Sequence, residues 1–191
     1  NKKISISNSE FLDQFINVIN KYIYESVGFV IIIDYTFQNN ADNFSHMLSG
    51  VLFTKYRHLD VYDPLGDTEE CRIVKHFIEL IYPLQKFNSV LNNNHKIPKS
   101  VCKINDNGIC SLWSIIFLIN RLFGATKTIS VNRVHNISKN NNFGYHFLCL
   151  IMNKFEQMLL FSKMPNYEYS VISTFNEIIF LIQSANLNSL I

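Results

Sequence analysis

Residues 45–66 read SHMLSGVLFTKYRHLDVYDPLG, and this stretch decides how the rest of the chain is interpreted. It predicts one strand over residues 46–56 and a second over residues 57–62, with the turn near residues 55–57. The following Asp-Pro-Leu-Gly, residues 63–66, ends the second strand because such residues favour a turn. Upstream, residues 28–37 read GFVIIIDYTF, a β-branched and aromatic run that predicts a buried strand.

Helical patterns surround these strands. Apolar spacing predicts a helix over residues 9–24, and Asp67 or Thr68 is expected to cap a second helix that Pro83 ends. Residues 111–123 are apolar nearly all round, which predicts a buried helix that stops at Gly124. The remaining predictions are an extended piece at 98–104, strands at 145–152 and 157–161, and a helix at 174–183. This order predicts an α+β fold with a mainly antiparallel central sheet packed against helices.

Composition limits the classes of function. The chain has 191 residues, which suits a single domain over 1–191, and a net charge of +2, which is too small to indicate a nucleic-acid partner. The sequence contains no apolar run of the roughly 20 residues that a membrane span needs. Four cysteines, at 71, 102, 110 and 149, form no CxxC pair, so we expect thiols in a reducing compartment and no metal site.

His46 and Asp63 stand at opposite ends of the two predicted strands, 17 residues apart along the chain. In an antiparallel pair, the start of one strand lies beside the end of the next. A carboxylate in that position accepts the imidazole N–H, fixes its tautomer and stabilises the imidazolium. The spacing therefore predicts a catalytic His–Asp pair at one edge of the sheet.

Cys110 stands at the beginning of the predicted buried helix. A thiol at a helix N-terminus loses proton affinity, and a neighbouring imidazolium lowers it further, so the thiolate nucleophile becomes accessible. Gly108 lets the backbone turn tightly and approach a substrate. Backbone N–H groups near Cys110 and the amide of Asn105 are the predicted oxyanion donors. This chemistry predicts a cysteine protease that needs no metal or organic cofactor.

These residues resemble the adenain and ubiquitin-like-protease superfamily, peptidase clan CE. His46, Asp63 within Tyr-Asp-Pro-Leu-Gly, and Cys110 match the family's order of His, Asp and Cys. The sequence departs from that family at Met47, where Trp is common, and in the segment 105–111, which is one residue shorter. The resemblance implies a papain-like fold in circularly permuted order, with a catalytic core at about 28–123 and a C-terminal extension at about 124–191. It also implies that Met47, Gly108 and Trp113 line the substrate site.

The resemblance implies two substrate classes. One is ubiquitin or a ubiquitin-like protein, cleaved after Gly by a deubiquitinase-like pathogen effector in the host cytoplasm. The other is a viral precursor protein, cut by an adenain-like maturation protease in the virion or the infected cell. The N-terminal helix and the region after residue 123 are where this family pattern places a recognition surface.

Three alternatives remain at this point. His146 also begins a predicted strand, downstream of Cys110, in the order that papain-like enzymes use. The segment Cys-Ser-Leu-Trp-Ser at 110–114 is also similar to YopJ-type acetyltransferase effectors, which use the same kind of triad for acyl transfer. The third alternative is a non-enzymatic interaction module in which the three residues coincide by chance. Preferential reactivity of Cys110 over the other cysteines separates the enzyme from the module.

Overall fold

The computed structural model describes residues 9–21, 25–35, 44–89, 109–139, 141–165 and 168–185. Within these ranges the chain forms four strands and six α-helices, together with one 3-10 turn at Thr54–Tyr56. In chain order they are α1 Ser9–Lys21, β1 Ser26–Tyr35, β2 Phe44–Phe53, β3 His58–Tyr62, α2 Glu69–Ile81, β4 Lys86–Ser89, α3 Ile109–Leu122, α4 Lys127–Lys139, α5 Asn141–Phe161 and α6 Glu168–Ser184.

The strands form one sheet in the order β1-β2-β3-β4. The first two pairings are antiparallel, and the pairing of β3 with β4 is parallel, so the sheet is mixed. Arg57 adopts the left-handed conformation, with φ 47°, and closes the tight connection between β2 and β3. The α+β class that the sequence predicts is confirmed.

The two faces of the sheet meet different helices. Because side chains alternate along a strand, Leu48 and Leu52 of β2 share one face with Leu59 and Val61 of β3. That face packs against α2 through residues such as Val74, and these side chains form one apolar cluster. The residues between them on β2 and β3 face α3 instead.

Helix α3 lies at the centre of a second apolar cluster. Its Trp113, Ile116 and Phe117 are fully buried, and the Phe117 ring stacks on Tyr62 of β3 with centroids 4.5 Å apart. Helices α4, α5 and α6 cover the rest of α3 and contribute residues to the same cluster. The buried helix predicted at residues 111–123 is therefore confirmed, and Gly124 follows it with φ +91°.

The strands predicted at 145–152 and 157–161 are wrong, because both fall within the single helix α5. The buried side chains of this helix, Phe147, Leu148 and Ile151, recur at helical spacing. A short apolar run does not distinguish a buried helix from a buried strand, so length was the missing criterion. The prediction of an extended piece at 98–104 lies outside the described residues.

Two elements were missed by the sequence reasoning. Helix α4 buries Ser130 and Ser138 beside Val131, Val134 and Ile137, so polar residue types conceal its inner face. Strand β4 has only four residues, three of which are polar, and it joins the sheet at an edge. Among the helices that the structure describes, none has both the length and the apolar character of a membrane span.

Candidate functional site

His46 and Asp63 are in direct contact, as the hairpin register predicts. The His46 Nε2 atom lies 2.8 Å from the Asp63 Oδ1 atom, and both side chains are essentially inaccessible to solvent. Extending the register beyond the Ser49–Tyr62 pair places Asp63 diagonally across from His46 on the same face of the sheet. A carboxylate only accepts hydrogen bonds, so Nε2 carries the proton and Nδ1 is the ring nitrogen that keeps a lone pair.

The Asp63 carboxylate accepts two further hydrogen bonds. The Leu65 backbone N–H donates to Oδ1 at 2.7 Å, and the Thr68 hydroxyl donates to Oδ2 at 2.5 Å. The turn that brings these donors close is closed by the Gly66 N–H to the Asp63 carbonyl, 3.0 Å, with Gly66 at φ 108°. Buried charges need such partners to offset their desolvation, and here the partners also fix the plane of the carboxylate.

Thr68 is the residue of this site whose role the sequence reasoning missed. It was expected as a possible cap for α2, and it does occupy the N-cap position, but its side chain makes no capping hydrogen bond. The hydroxyl is directed at Asp63 instead, and its oxygen also lies 3.7 Å from the Cys71 Sγ atom. The available signal was its position five residues after Asp63, across a tight turn.

Cys71 is a buried thiol beside this network. Burial raises its pKa to about 11, and the nearby negative charge of Asp63 adds to the effect, although contacts with Thr68 oppose it. A thiol with this pKa keeps its proton at neutral pH. Cys71 is also only 1% exposed, so a substrate cannot reach its sulfur in the folded chain.

Helix α3 is fixed to β2 by two hydrogen bonds between buried serines and backbone carbonyls. The Ser114 hydroxyl donates to the Met47 carbonyl at 3.0 Å, and the Ser49 hydroxyl donates to the Ser114 carbonyl at 2.9 Å. Further along α3, Leu118 and Leu122 lie against Gly28, which pairs with Val51. The helix therefore follows β2 in the same direction, and its N-terminal turn lies toward the His46 end of the strand.

Cys110 lies in that N-terminal turn. It is half-buried and packs against the apolar cluster around α3. Because His46 alternates with Met47 and Ser49, its side chain is on the face opposite α3. Among the described residues, β2 pairs with β3 only from Ser49 onward, so residues 44–48 have a strand partner on the β1 side alone.

The other predicted site residues have different surroundings. Met47 is half-buried, and its carbonyl is the acceptor for Ser114. Trp113 is fully buried in the core around α3, a position that indicates packing rather than contact with a substrate. Asn105 and Gly108 lie outside the described residues.

The alternative with His146 as the base depended on a predicted strand, and the structure has a helix there instead. His146 lies exposed on α5, which continues as one helix to Phe161. The order Cys, then His, thus has no support from the local geometry. Within the described residues, His46 is the histidine that meets a carboxylate at the end of β2 toward which α3 begins, although its side chain lies on the other face of the sheet.

A second His–Asp pair occupies the other end of the hairpin. His58 Nε2 lies 2.7 Å from Asp60 Oδ1, while Arg121 of α3 donates to Oδ2 from Nη2 at 2.7 Å and from Nε at 3.2 Å. Burial works to raise the pKa of Asp60, but the Arg121 and His58 contacts and charges outweigh it, so the net pKa lies below the usual value. Arg121 is three turns of α3 from Cys110, about 16 Å by helical rise, and the pair joins the sheet to the helix.

No family model matches the chain, and neither the curated proteins nor the solved structures contain a significant match to it.

Proposed function

We propose that this protein is a cysteine peptidase in which Cys110 is the nucleophile, His46 the base and Asp63 the residue that orients the base. The observation that carries the proposal is the buried hydrogen bond of 2.8 Å between His46 and Asp63. A buried imidazole on a carboxylate with fixed geometry is the arrangement that general-base chemistry requires. Its position toward the end of β2 where α3 begins supports Cys110 as its partner.

The reaction proceeds by acyl transfer through the thiol. His46 Nδ1 takes the proton of Cys110, and the sulfur attacks the carbonyl carbon of the scissile amide. The tetrahedral oxyanion is held by backbone N–H groups at the start of α3, with Asn105 as a further donor. His46 then returns the proton to the leaving amine, and a water molecule that His46 deprotonates hydrolyses the thioester and regenerates the Cys110 thiol.

In this proposal, the substrate peptide binds along the edge of β2, where His46 and Cys110 can both reach its scissile carbonyl. The imidazole and the thiol belong to opposite faces of the sheet, so they meet beside residues 44–48, where the described part of β2 extends past β3. An extended peptide bound along this edge presents its carbonyl between the two groups. The Ser49 and Ser114 hydrogen bonds hold α3 at a fixed height along the strand.

The detailed fold and the substrate class that we propose come from the resemblance to clan CE peptidases. It gives a papain-like fold in circularly permuted order, and a substrate that is cleaved after Gly, with ubiquitin or a ubiquitin-like protein as the favoured partner. A viral precursor protein is the second substrate class within the same mechanism. Both proposals rest on the match of His46, Asp63 and Cys110 to the family's order.

The test uses ubiquitin and ubiquitin-like proteins that carry a C-terminal electrophile. The protein and its Cys110→Ala variant are incubated with each probe, and covalent adducts are measured by intact mass. We expect one adduct that requires Cys110 and is slowed by His46→Ala. The matched control is Cys149→Ala, which removes a half-buried thiol of α5 and leaves adduct formation unchanged.

Each result has a different consequence. An adduct with a modifier other than ubiquitin keeps the mechanism and changes the substrate. Rapid alkylation of Cys110 by a small electrophile, without any modifier adduct, favours the viral-maturation or acetyltransferase alternative. Equal reactivity of Cys110 and Cys149 with a small electrophile contradicts the peptidase proposal and favours the interaction module.

A further inference from the structure

Thr68 is at the N-cap position of α2, but its hydroxyl does not make the hydrogen bond that is usual for this position. Threonine is a preferred N-cap residue because its oxygen accepts a backbone N–H of the first helical turn. At the start of α2 this hydrogen bond is not made, and the hydroxyl hydrogen is directed to Asp63 Oδ2, 2.5 Å away. The contact has the length of a charge-assisted O–H···O⁻ bond, which is stronger than a bond between neutral groups.

The two oxygens of Asp63 are held in different ways. Oδ1 is shared by the His46 imidazole and the Leu65 backbone N–H. Among the side chains that the structure describes, Thr68 is the donor to Oδ2. Asp63 is only 1% exposed, so bulk water is not available to replace a missing donor. Without the hydroxyl, Oδ2 would lose this donor, and we expect the carboxylate to rotate and the bond between Oδ1 and His46 to lose its alignment.

We propose that Thr68 is a positioning residue of the catalytic site: its hydroxyl fixes the rotation of the Asp63 carboxylate and, through it, the orientation of the His46 ring. This inference rests on the proposed function and extends it to a residue outside the His–Asp–Cys set. Thr68 acts through Asp63 and does not touch the reacting atoms.

Cys71 is the second group near the Thr68 hydroxyl, so the position of its sulfur bears on where the hydroxyl hydrogen goes. Its Sγ atom lies 3.7 Å from the Thr68 oxygen, and its raised pKa of about 11 keeps it protonated. The Thr68 hydroxyl has a single hydrogen, and its contact with Asp63 Oδ2 at 2.5 Å is much shorter than its contact with Cys71 Sγ, which assigns that hydrogen to Asp63. The hydroxyl therefore donates to the carboxylate, which also accepts the His46 N–H.

The experiment measures how fast iodoacetamide alkylates Cys110, because that rate follows the thiolate that His46 and Asp63 maintain. Rates are obtained by peptide mass mapping for the wild type and for Thr68→Val, Thr68→Ser and His46→Ala. We expect Thr68→Val to slow alkylation roughly tenfold, the effect of one lost hydrogen bond to a charged group. Thr68→Ser keeps the hydroxyl and should stay within about twofold of the wild type.

The matched control is Thr174→Val, at a buried threonine of α6 whose hydroxyl donates to the Ser170 carbonyl. It should leave the rate unchanged. Melting temperatures of all variants are recorded, and Thr68→Ala replaces Thr68→Val if the valine variant does not fold. A rate for Thr68→Val or Thr68→Ala equal to the wild type, or an equal loss in Thr68→Ser, overturns the positioning role alone. A rate that His46→Ala does not change overturns the proposed function itself.

Discussion

At the scale of single residues, the surroundings of each ionisable group determine its charge and its reactivity. Asp63 receives three donors and serves as an acceptor for His46, whereas Cys71, on the neighbouring helix, is held as a neutral thiol. Cys110 begins a helix, where the backbone N–H groups and the dipole favour a thiolate. Two cysteines of one chain are therefore expected to differ strongly in reactivity.

Replacing His46 is expected to cost more activity than replacing Asp63. In the proposed mechanism, His46→Ala removes the group that moves the proton, a step that contributes roughly 100- to 10,000-fold to rate. Asp63→Ala leaves an imidazole that is less well oriented, so part of this contribution remains. The measurement is hydrolysis of the C-terminal fluorogenic amide of whichever modifier labels Cys110, with melting temperatures to identify loss of folding. A larger loss in a folded Asp63→Ala variant than in His46→Ala would contradict these roles.

Cys71 should resist alkylation in the folded protein. With a pKa of about 11, about one thiol in a thousand is ionised at pH 8, and the thiolate is the reactive form. We expect iodoacetamide at pH 8 to leave Cys71 unmodified in native protein and to modify it in urea. The urea sample serves as the control, since it shows that the reagent can reach and label this residue.

The raised pKa of Cys71 also makes the free energy of unfolding depend on pH. The folded pKa of Cys71 lies above its ordinary value of 9.0, so its contribution is complete below pH 9 and is lost as the pH rises through about 11. The size is about 2–3 kcal/mol at most, from two units of pKa. Urea unfolding should therefore show a steeper loss of stability between pH 9 and 11 in the wild type than in Cys71→Ala. Parallel curves would show that the thiol ionises freely in the folded chain.

At the scale of elements, one ion cluster joins the sheet to the C-terminal part of α3. Asp60 is fully buried, and Arg121 both pairs with it and lies over the Phe53 ring, 4.6 Å from the ring centroid. Breaking a buried pair leaves an uncompensated charge, which costs about 3 kcal/mol or more. We expect Arg121→Met to lower the free energy of unfolding at pH 7 by about this amount.

The dependence on pH has a defined sign. The pKa of Asp60 is lowered in the folded protein, so its stabilisation is present above its ordinary value of 3.8 and is lost as the pH falls through the lower folded value. In Arg121→Met the effect of burial dominates, and the loss should begin at higher pH. Urea unfolding at pH 7 and pH 4.5 measures both effects. Lys154→Met, which removes a partly exposed pair with Glu177, is the control and should cost less than about 1 kcal/mol.

The sequence predicted the hairpin and its His–Asp contact because both depend on local pattern and register. His46 and Asp63 are placed by a short turn between two strands, and that geometry is nearly determined by their spacing. The role of Thr68 was not predictable in this way, because residue type alone indicates a helix cap. Helix α5 was misread because the buried set Phe147, Leu148 and Ile151 suits a buried strand as well as a helix until its length is known.

At the scale of the whole molecule, residues beyond 124 complete the core rather than decorate it. Helices α4–α6 supply Val134, Ile151 and Ile178 to the cluster around α3, all at most 1% exposed. A chain reduced to the sequence-based core would expose the outer side of α3, where Asn120 accepts a hydrogen bond from Arg133 of α4. Losing contacts for several fully buried side chains, each worth about 1.5–3 kcal/mol, exceeds the stability of a typical domain of this size.

We therefore expect a chain ending at residue 124 to lose its ordered core. Trp113 is the single tryptophan of the sequence and is fully buried, so its fluorescence reports on this core directly. The shortened chain should emit at longer wavelength than the full-length protein and should lack a cooperative urea transition. A blue-shifted emission with a sharp transition would show instead that residues 1–124 fold alone and that the remainder is an extension.

The hydrogen bonds of Asp63 also have a kinetic meaning. Two of its donors, Leu65 and Thr68, lie within five residues of it along the chain, whereas Ser114 reaches Met47 from 67 residues away. Contacts that close short loops form early and survive partial opening, and contacts that close long loops depend on the whole fold. In hydrogen exchange under mild denaturant, the turn at residues 63–68 should stay protected after the junction of β2 and α3 has opened. The reactivity of Cys110 would then fall to that of an ordinary exposed thiol while the acid of the site is still in place.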